Sequence, residues 1–160
     1  MKKNVLPLLF LFSFFVSCGQ SEKNAPQSKN KIIPFPIEKE SGFYTVAKNS
    51  DIDFNSVDYL KSLKLEDSPS ITIDDISSAK RTKDIFGKPA IALKLTANGA
   101  KKFEKLTHEN IGFVSAIVMD KKIISAPRIN SVIPNGYIEI SGDFTKNEVD
   151  EIIKYIYSKK

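Results

Sequence analysis

"FVSAIVMDKKIISAPRI", residues 113–129, decides the architecture. Phe113 to Met119 is apolar on both faces apart from Ser115, the composition of a central strand covered on both sides. Asp120, Lys121 and Lys122 form a charged pivot, and Ile123 to Ala126 return until Pro127 removes a ladder donor. The stretch therefore predicts a hairpin with a buried outgoing strand. Asp120 invites a catalytic reading, but a turn carboxylate is solvated and acceptor-rich, which suits turn geometry better than general acid work.

The flanks supply the rest of a small domain. Ile91, Leu93 and Leu95 alternate in "AIALKL", and Ile71 and Ile73 alternate with Thr72 and Asp74, so each run predicts a half-buried strand. "SSAKRTKDIFGKP" (77–89) between them reads as a polar connection closed by Gly87 and Pro89. Thr96 caps a predicted helix with Ala100, Phe103 and Leu106 on one face and Lys101, Lys102, Glu104 and Lys105 on the other. Asn110 and Gly112 mark its exit. Asn135-Gly136 turns the chain into a strand carrying Ile138 and Ile140 on one side and Tyr137, Glu139 and Ser141 on the other. Thr145 and Glu148 make a capping box ahead of the stripe Val149, Ile152, Ile153 and Ile156. Before Ile71 the pattern is weaker: "GFYTV" (42–46) fits a strand, and Phe54, Val57, Leu60 and Leu63 fall near helical spacing. Hairpin-length connections give an α+β fold, a mostly antiparallel sheet with helices packed on one face.

The N-terminus points to export. Behind Lys2 and Lys3, "VLPLLFLFSFFV" (5–16) is too short to span a bilayer but suits the apolar centre of a signal peptide. Cys18, the single cysteine, stands where that segment ends. Phe15-Val16-Ser17-Cys18-Gly19 resembles the lipobox of bacterial lipoproteins, with Phe15 in place of the usual Leu. That resemblance implies cleavage after Ser17, acylation at Cys18 and attachment to a membrane of the cell envelope, facing the periplasm or the exterior. The expected organisation is a signal peptide over 1–17, a polar tether over 18–36, an N-terminal extension over 37–70 and the main domain over 71–158. Losing residues 1–17 leaves 22 basic residues against 19 acidic, a net charge of +3. That surplus, with no aromatic and basic stripe, is weak for a nucleic-acid face.

Taken in order, "DDISSAK", "GKPAIALKLTANGAKKFEKLTHENIG", "SAIVMDKKIISAPRI" and "IPNGYIEISGDFTKNEVDEI" resemble the head of the first large periplasmic domain of SecD, the protein-export membrane subunit. The positions that carry the likeness include Gly99, Phe103, Asp120, Ser125, Ala126, Pro127, Gly142, Phe144 and Thr145, read as structural motif residues. Lys121 departs from the turn glycine usual in that family, so the hairpin is expected to close with a different turn type. The resemblance implies one module of an export machine on its own lipid anchor, without the membrane carboxylates that couple SecD to the proton gradient. The function it implies is non-enzymatic binding of an extended polypeptide or an envelope partner. Strand addition at an open sheet edge is the physical route.

The other reading is an envelope enzyme or ligand-binding lipoprotein with a cleft. His108 alone builds no zinc site, and Glu66, Asp67, Asp74 and Asp75 lack the spacing and central glycine of a calcium loop. Nucleophile elbows and phosphate loops are absent, so no metal or cofactor is expected. A deep pocket gathering His108 with two or more carboxylates would favour the enzyme.

Overall fold

The computed structural model describes residues 35–47 and 59–160. The expectations for 1–34, including Cys18, and for the helical spacing at Phe54 and Val57 lie outside these residues. Eight strands and two helices run in the order β1 (Phe35–Pro36), β2 (Gly42–Thr45), β3 (Ile71–Thr72), β4 (Ile76–Lys83), β5 (Pro89–Leu95), α1 (Ala97–Glu109), β6 (Ser115–Met119), β7 (Lys122–Ser125), β8 (Tyr137–Ile140) and α2 (Lys146–Ser158). The strands form two antiparallel sheets, β1-β7-β6-β2-β3 and β4-β5-β8, so the expected single sheet is divided while the α+β class stands.

β6 occupies the centre of the larger sheet, between β7 and β2, and every one of its residues is buried. Its alternation feeds two cores. Ile117 and Met119 join Phe43, Phe103, Leu93, Ile140, Val149 and Ile156 in the core shared with the smaller sheet and both helices. Ala116 and Val118 face the other way, onto Tyr44, Leu60, Leu63 and Ile123. Leu60 and Leu63 reach that second face from a 3-10 turn at Tyr59–Ser62 and the residue after it. Burying each large aliphatic side chain contributes about 1.5–3 kcal/mol, so a strand with both faces covered anchors the domain.

Two local expectations are corrected. The strand at Ile71 stops after Thr72, because the Asp75 carboxylate accepts the Thr72 N–H (3.1 Å) and bends Ile73–Asp75 into one 3-10 turn. "SSAKRTK" is not a connection: it is most of β4, paired with β5 from Ile76↔Leu95 to Lys83↔Pro89. Both helices start as read, with the Thr96 hydroxyl accepting from Gly99 N–H (3.0 Å) and the Thr145 and Glu148 side chains capping reciprocally.

The β6–β7 turn also differs from expectation. Asp120 and Lys121 both have positive φ, 48° and 56°, the pattern of the type I′ turns that match strand twist. The lysine thus takes the glycine's conformation rather than rebuilding the turn. Asp120 N–H donates to Ser41 Oγ (3.0 Å), and the Lys121 ammonium meets Glu38 (3.1 Å).

Candidate functional site

The two sheets diverge beside α1 and leave a cavity of about 350 Å3. Phe103, Ile117, Ile133 and Ile138 supply apolar walls, while Ser125 and Glu139 add polar groups. Phe103 is held edge-to-face against Phe43, with centroids 5.7 Å apart. The loop that leads from β7 to β8 closes one side and is tied to α1: the buried Thr107 hydroxyl accepts from Ile133 N–H (3.1 Å) and donates to the Phe103 carbonyl (2.9 Å). Gly136 ends that loop with φ +63°, and a Cβ there would sit 2.7 Å from Ala100 Cβ.

β8 borders this cavity and is an edge strand. Leu95 N–H donates to the Gly136 carbonyl (2.8 Å), and the register pairs Leu93 with Ile138 and Ile91 with Ile140. In an antiparallel ladder this alternation turns the backbone of Gly136, Ile138 and Ile140 toward β5 and that of Tyr137 and Glu139 outward. Those outward groups have no partner among the described residues. The site therefore offers unpaired N–H and C=O groups along one side of a small apolar cavity.

The opposite edge of the same sheet is treated differently. The Tyr157 hydroxyl, on α2, donates to the Ala79 carbonyl (3.1 Å) and accepts from the Ala79 N–H (3.2 Å), filling both outward backbone positions of that β4 residue. The Lys160 ammonium covers the Ile76 and Ser77 carbonyls next to it. With Lys80, Arg81 and Lys83 exposed along β4, this edge carries the charges and covering groups that discourage pairing.

Of the motif residues, Phe103, Ser125 and Pro127 line the cavity. Ala126 is buried in the second core. Gly99 lies under the 3-10 turn, where a Cβ would be 2.6 Å from the Asp75 carbonyl oxygen. Gly142 packs on the Phe144 ring, and Thr145 caps α2. Asp120 and Phe144 meet instead at a second cavity of about 350 Å3, between the β6–β7 turn and α2. The strand edge itself was missed. Its signal was the alternation in "YIEI", but which strand of a sheet lies outermost depends on distant pairing that a local pattern does not carry.

One buried charge organises the junction between sheets. Burial alone would raise the Asp75 carboxyl, but hydrogen bonds from Lys102 and Thr72 and the Lys102 charge outweigh it and hold the group below its ordinary value. Both carboxylate oxygens lie 2.9 Å from the Lys102 ammonium. His108 is exposed, in an open depression with Lys102, Lys105 and one carboxylate, Glu109. The arrangement that would have favoured an enzyme, His108 with two carboxylates, is not what this depression holds. Among the described residues no group of three or more His, Cys, Asp or Glu side chains could hold a metal ion, and no helix is long and apolar enough to cross a membrane.

Comparison with known proteins agrees with this fold. The protein translocase subunit SecD of Acidaminococcus fermentans is 30% identical over 129 residues, 79% of this chain and 29% of that protein. The SecDF subunit of Thermus thermophilus is 40% identical over 84 residues, 52% of this chain and 11% of that protein. The chain thus spans less than a third of the length of either relative. A solved structure of SecDF, described as a membrane component that enhances protein export, superposes with a TM-score of 0.60 at 27% identity, covering 75% of this chain and 63% of that one. SecDF in a super-membrane-facing form superposes with a TM-score of 0.61 at 31% identity, covering 73% and 18%. Residues 50–158 match the family model described as SecDF, P1 head subdomain, and with the two-sheet fold in common the chain belongs to that family.

Proposed function

We propose that this is a non-enzymatic, lipid-anchored protein of the bacterial cell envelope whose head domain takes up an extended polypeptide along β8, as an accessory to protein export. The observation that carries the reading is the asymmetry of the smaller sheet: β4 is covered at Ile76, Ser77 and Ala79 by Lys160 and Tyr157 and lined by exposed cations beyond, while β8 leaves its outward backbone unpaired among the described residues, beside an apolar cavity. Strand addition takes its affinity from such backbone groups and its selectivity from pockets for alternate side chains. The cavity between the sheets suits one such apolar side chain. The relatives' names as translocase subunits support an unfolded or partly folded chain as the ligand. Attachment through acylated Cys18, with cleavage after Ser17 and a tether over 18–36, would keep the extension over 37–70 and the head over 71–158 at the membrane surface where exported chains emerge.

The test is binding of the full chain to a fluorescently labelled, permanently unfolded model protein, read by anisotropy, with two variants of one residue. Glu139→Ala keeps the outward N–H, removes only an exposed side chain at the cavity's border and should weaken binding far less than the proline. Glu139→Pro removes that N–H without touching the bonds to β5, and Pro is tolerated on an edge. Losing about one ladder bond of 0.5–1.5 kcal/mol, and obstructing its neighbour, should weaken binding about tenfold. Equal binding by both variants, or none by the parent chain, refutes strand addition at β8.

A further inference from the structure

The β4–β5 hairpin ends in a feature that neither the core nor the β8 edge uses. Ile85 and Phe86 stand at its apex and are 89% and 79% exposed, the two most exposed large apolar side chains among the described residues. The turn beneath them is built to hold them there. Asp84 N–H donates to the Lys88 carbonyl and Gly87 N–H to the Asp84 carbonyl, both at 2.9 Å. Asp84 Oδ1 accepts the N–H groups of Phe86 (2.9 Å) and Lys88 (2.8 Å), so this carboxylate faces inward to the turn's own backbone. Gly87 at φ +78° completes the bend. A turn fixed by four hydrogen bonds, whose two outermost side chains contact little of the fold, presents those side chains to something else.

The chemistry behind the apex narrows what that is. Lys80, Arg81, Lys83 and Lys88 flank it. Arg81 is paired with Asp150 and Lys88 with Asp143, each at 2.6 Å, which leaves the exposed Lys80 and Lys83 as cations for an outside partner. Two adjacent apolar side chains on a convex apex need a soft medium to enter, and lysines without an ion-pair partner among the described residues, a short way behind, match an anionic surface that lies above it. We propose that the Ile85–Phe86 apex is a bilayer-contacting tip, entering the interface of an anionic lipid membrane while Lys80 and Lys83 meet its headgroups. The inference rests on the membrane attachment proposed above. The 17 residue-to-residue steps from Cys18 to Phe35 reach at most about 60 Å even fully extended, so an anchored domain stays within range of the surface.

The chain contains no tryptophan, so Phe86→Trp places a single reporter at the apex. The full-length variant is reconstituted in vesicles of phosphatidylethanolamine and phosphatidylglycerol, and attachment is read separately by flotation. The expected result is a shift of emission to shorter wavelength and quenching by lipids brominated in the acyl chain, weaker in purely zwitterionic vesicles. Ile85→Asp added to the same chain should reduce both, with an unchanged far-UV circular dichroism spectrum showing the fold intact. A chain that floats with the vesicles while its indole stays in water at every composition overturns the tip and leaves the anchor standing. A chain that floats only with anionic vesicles and is released from them by high salt, while its indole enters the bilayer before release, supports the tip and removes the anchor. An indole buried only when envelope proteins are restored would assign the apex to a protein and overturn the lipid reading.

Discussion

Replacing Gly99 with alanine should destabilise the domain, against the ordinary preference of a helix. Gly99 is in the first turn of α1, and an unhindered Gly→Ala change inside a helix gains about 0.8–1 kcal/mol. Here the new Cβ would be 2.6 Å from the Asp75 carbonyl oxygen and 2.8 Å from Asp75 Cβ. Neither atom is free to retreat. The carbonyl accepts the Thr96 N–H at 2.8 Å, and the side chain is buried and held by Lys102 and Thr72. Overpacking costs about 1–3 kcal/mol, and a contact this short against fixed backbone belongs at the upper end of that range. Lengthening the Thr96–Asp75 bond adds about 1 kcal/mol. After subtracting the helix gain, the net loss is about 2–3 kcal/mol, or a fall in Tm of roughly 10 °C for a domain of this size. Urea unfolding followed by circular dichroism measures it, with the exposed Asn98→Ala in the same turn as the control that should not lose stability. A Gly99→Ala midpoint equal to or above the parent's would refute the close approach of α1 to the 3-10 turn, and with it the structural role given to this motif glycine.

Three further outcomes are expected. Lys121→Gly should be neutral or stabilising by up to about 1 kcal/mol, because glycine relieves the positive φ of 56° and the exposed pair with Glu38 contributes little; a clear loss in urea would show the lysine to be needed in the turn. The lowered Asp75 carboxyl stabilises the fold fully above its ordinary value of 3.8 and ceases to do so as pH falls through the lower folded value. Stability measured from pH 5 to pH 2 should therefore drop less steeply in Asp75→Asn, which starts about 1–2 kcal/mol lower at pH 7, and equal slopes would count against the Lys102 pairing. Cys18→Ala should abolish incorporation of a palmitate analogue in a bacterial host and leave the precursor uncut after Ser17; labelling that persists would place the acyl group elsewhere.

Elements whose signals are local were legible in the sequence. The Thr145–Glu148 box and the stripe from Val149 to Ile156 fix α2, and Thr96 with Phe103 and Leu106 fixes α1. The apolar run before Asp120 announced a strand covered on both faces, and β6 is that strand. What escaped depends on pairing across the chain. β4 buries little beyond Ile76 and Ala79, so its polar residues read as a connection, although polar residues are what an edge strand carries. β6 pairs with β2, some 70 residues upstream, rather than with β5, and that choice splits one expected sheet into two. The open edge of β8 follows from the same split, which is why the motif residues were visible while that edge was not.

The Tyr157 hydroxyl on Ala79 also limits how copies of this domain can associate. If both edges of the small sheet were open, β8 of one copy could join β4 of the next, and a head-to-tail contact that does not close on itself grows without end. With Ala79 occupied by a side chain from its own α2, and with Lys80, Arg81 and Lys83 exposed along the rest of that edge, β4 disfavours a second strand and the small sheet extends more readily from β8. Two copies meeting β8 to β8 consume both of those edges, and the contact stops at a pair. A phenol oxygen and a row of cations on β4 thus weigh against the open-ended stacking through which a sheet with two free edges could seed a fibre.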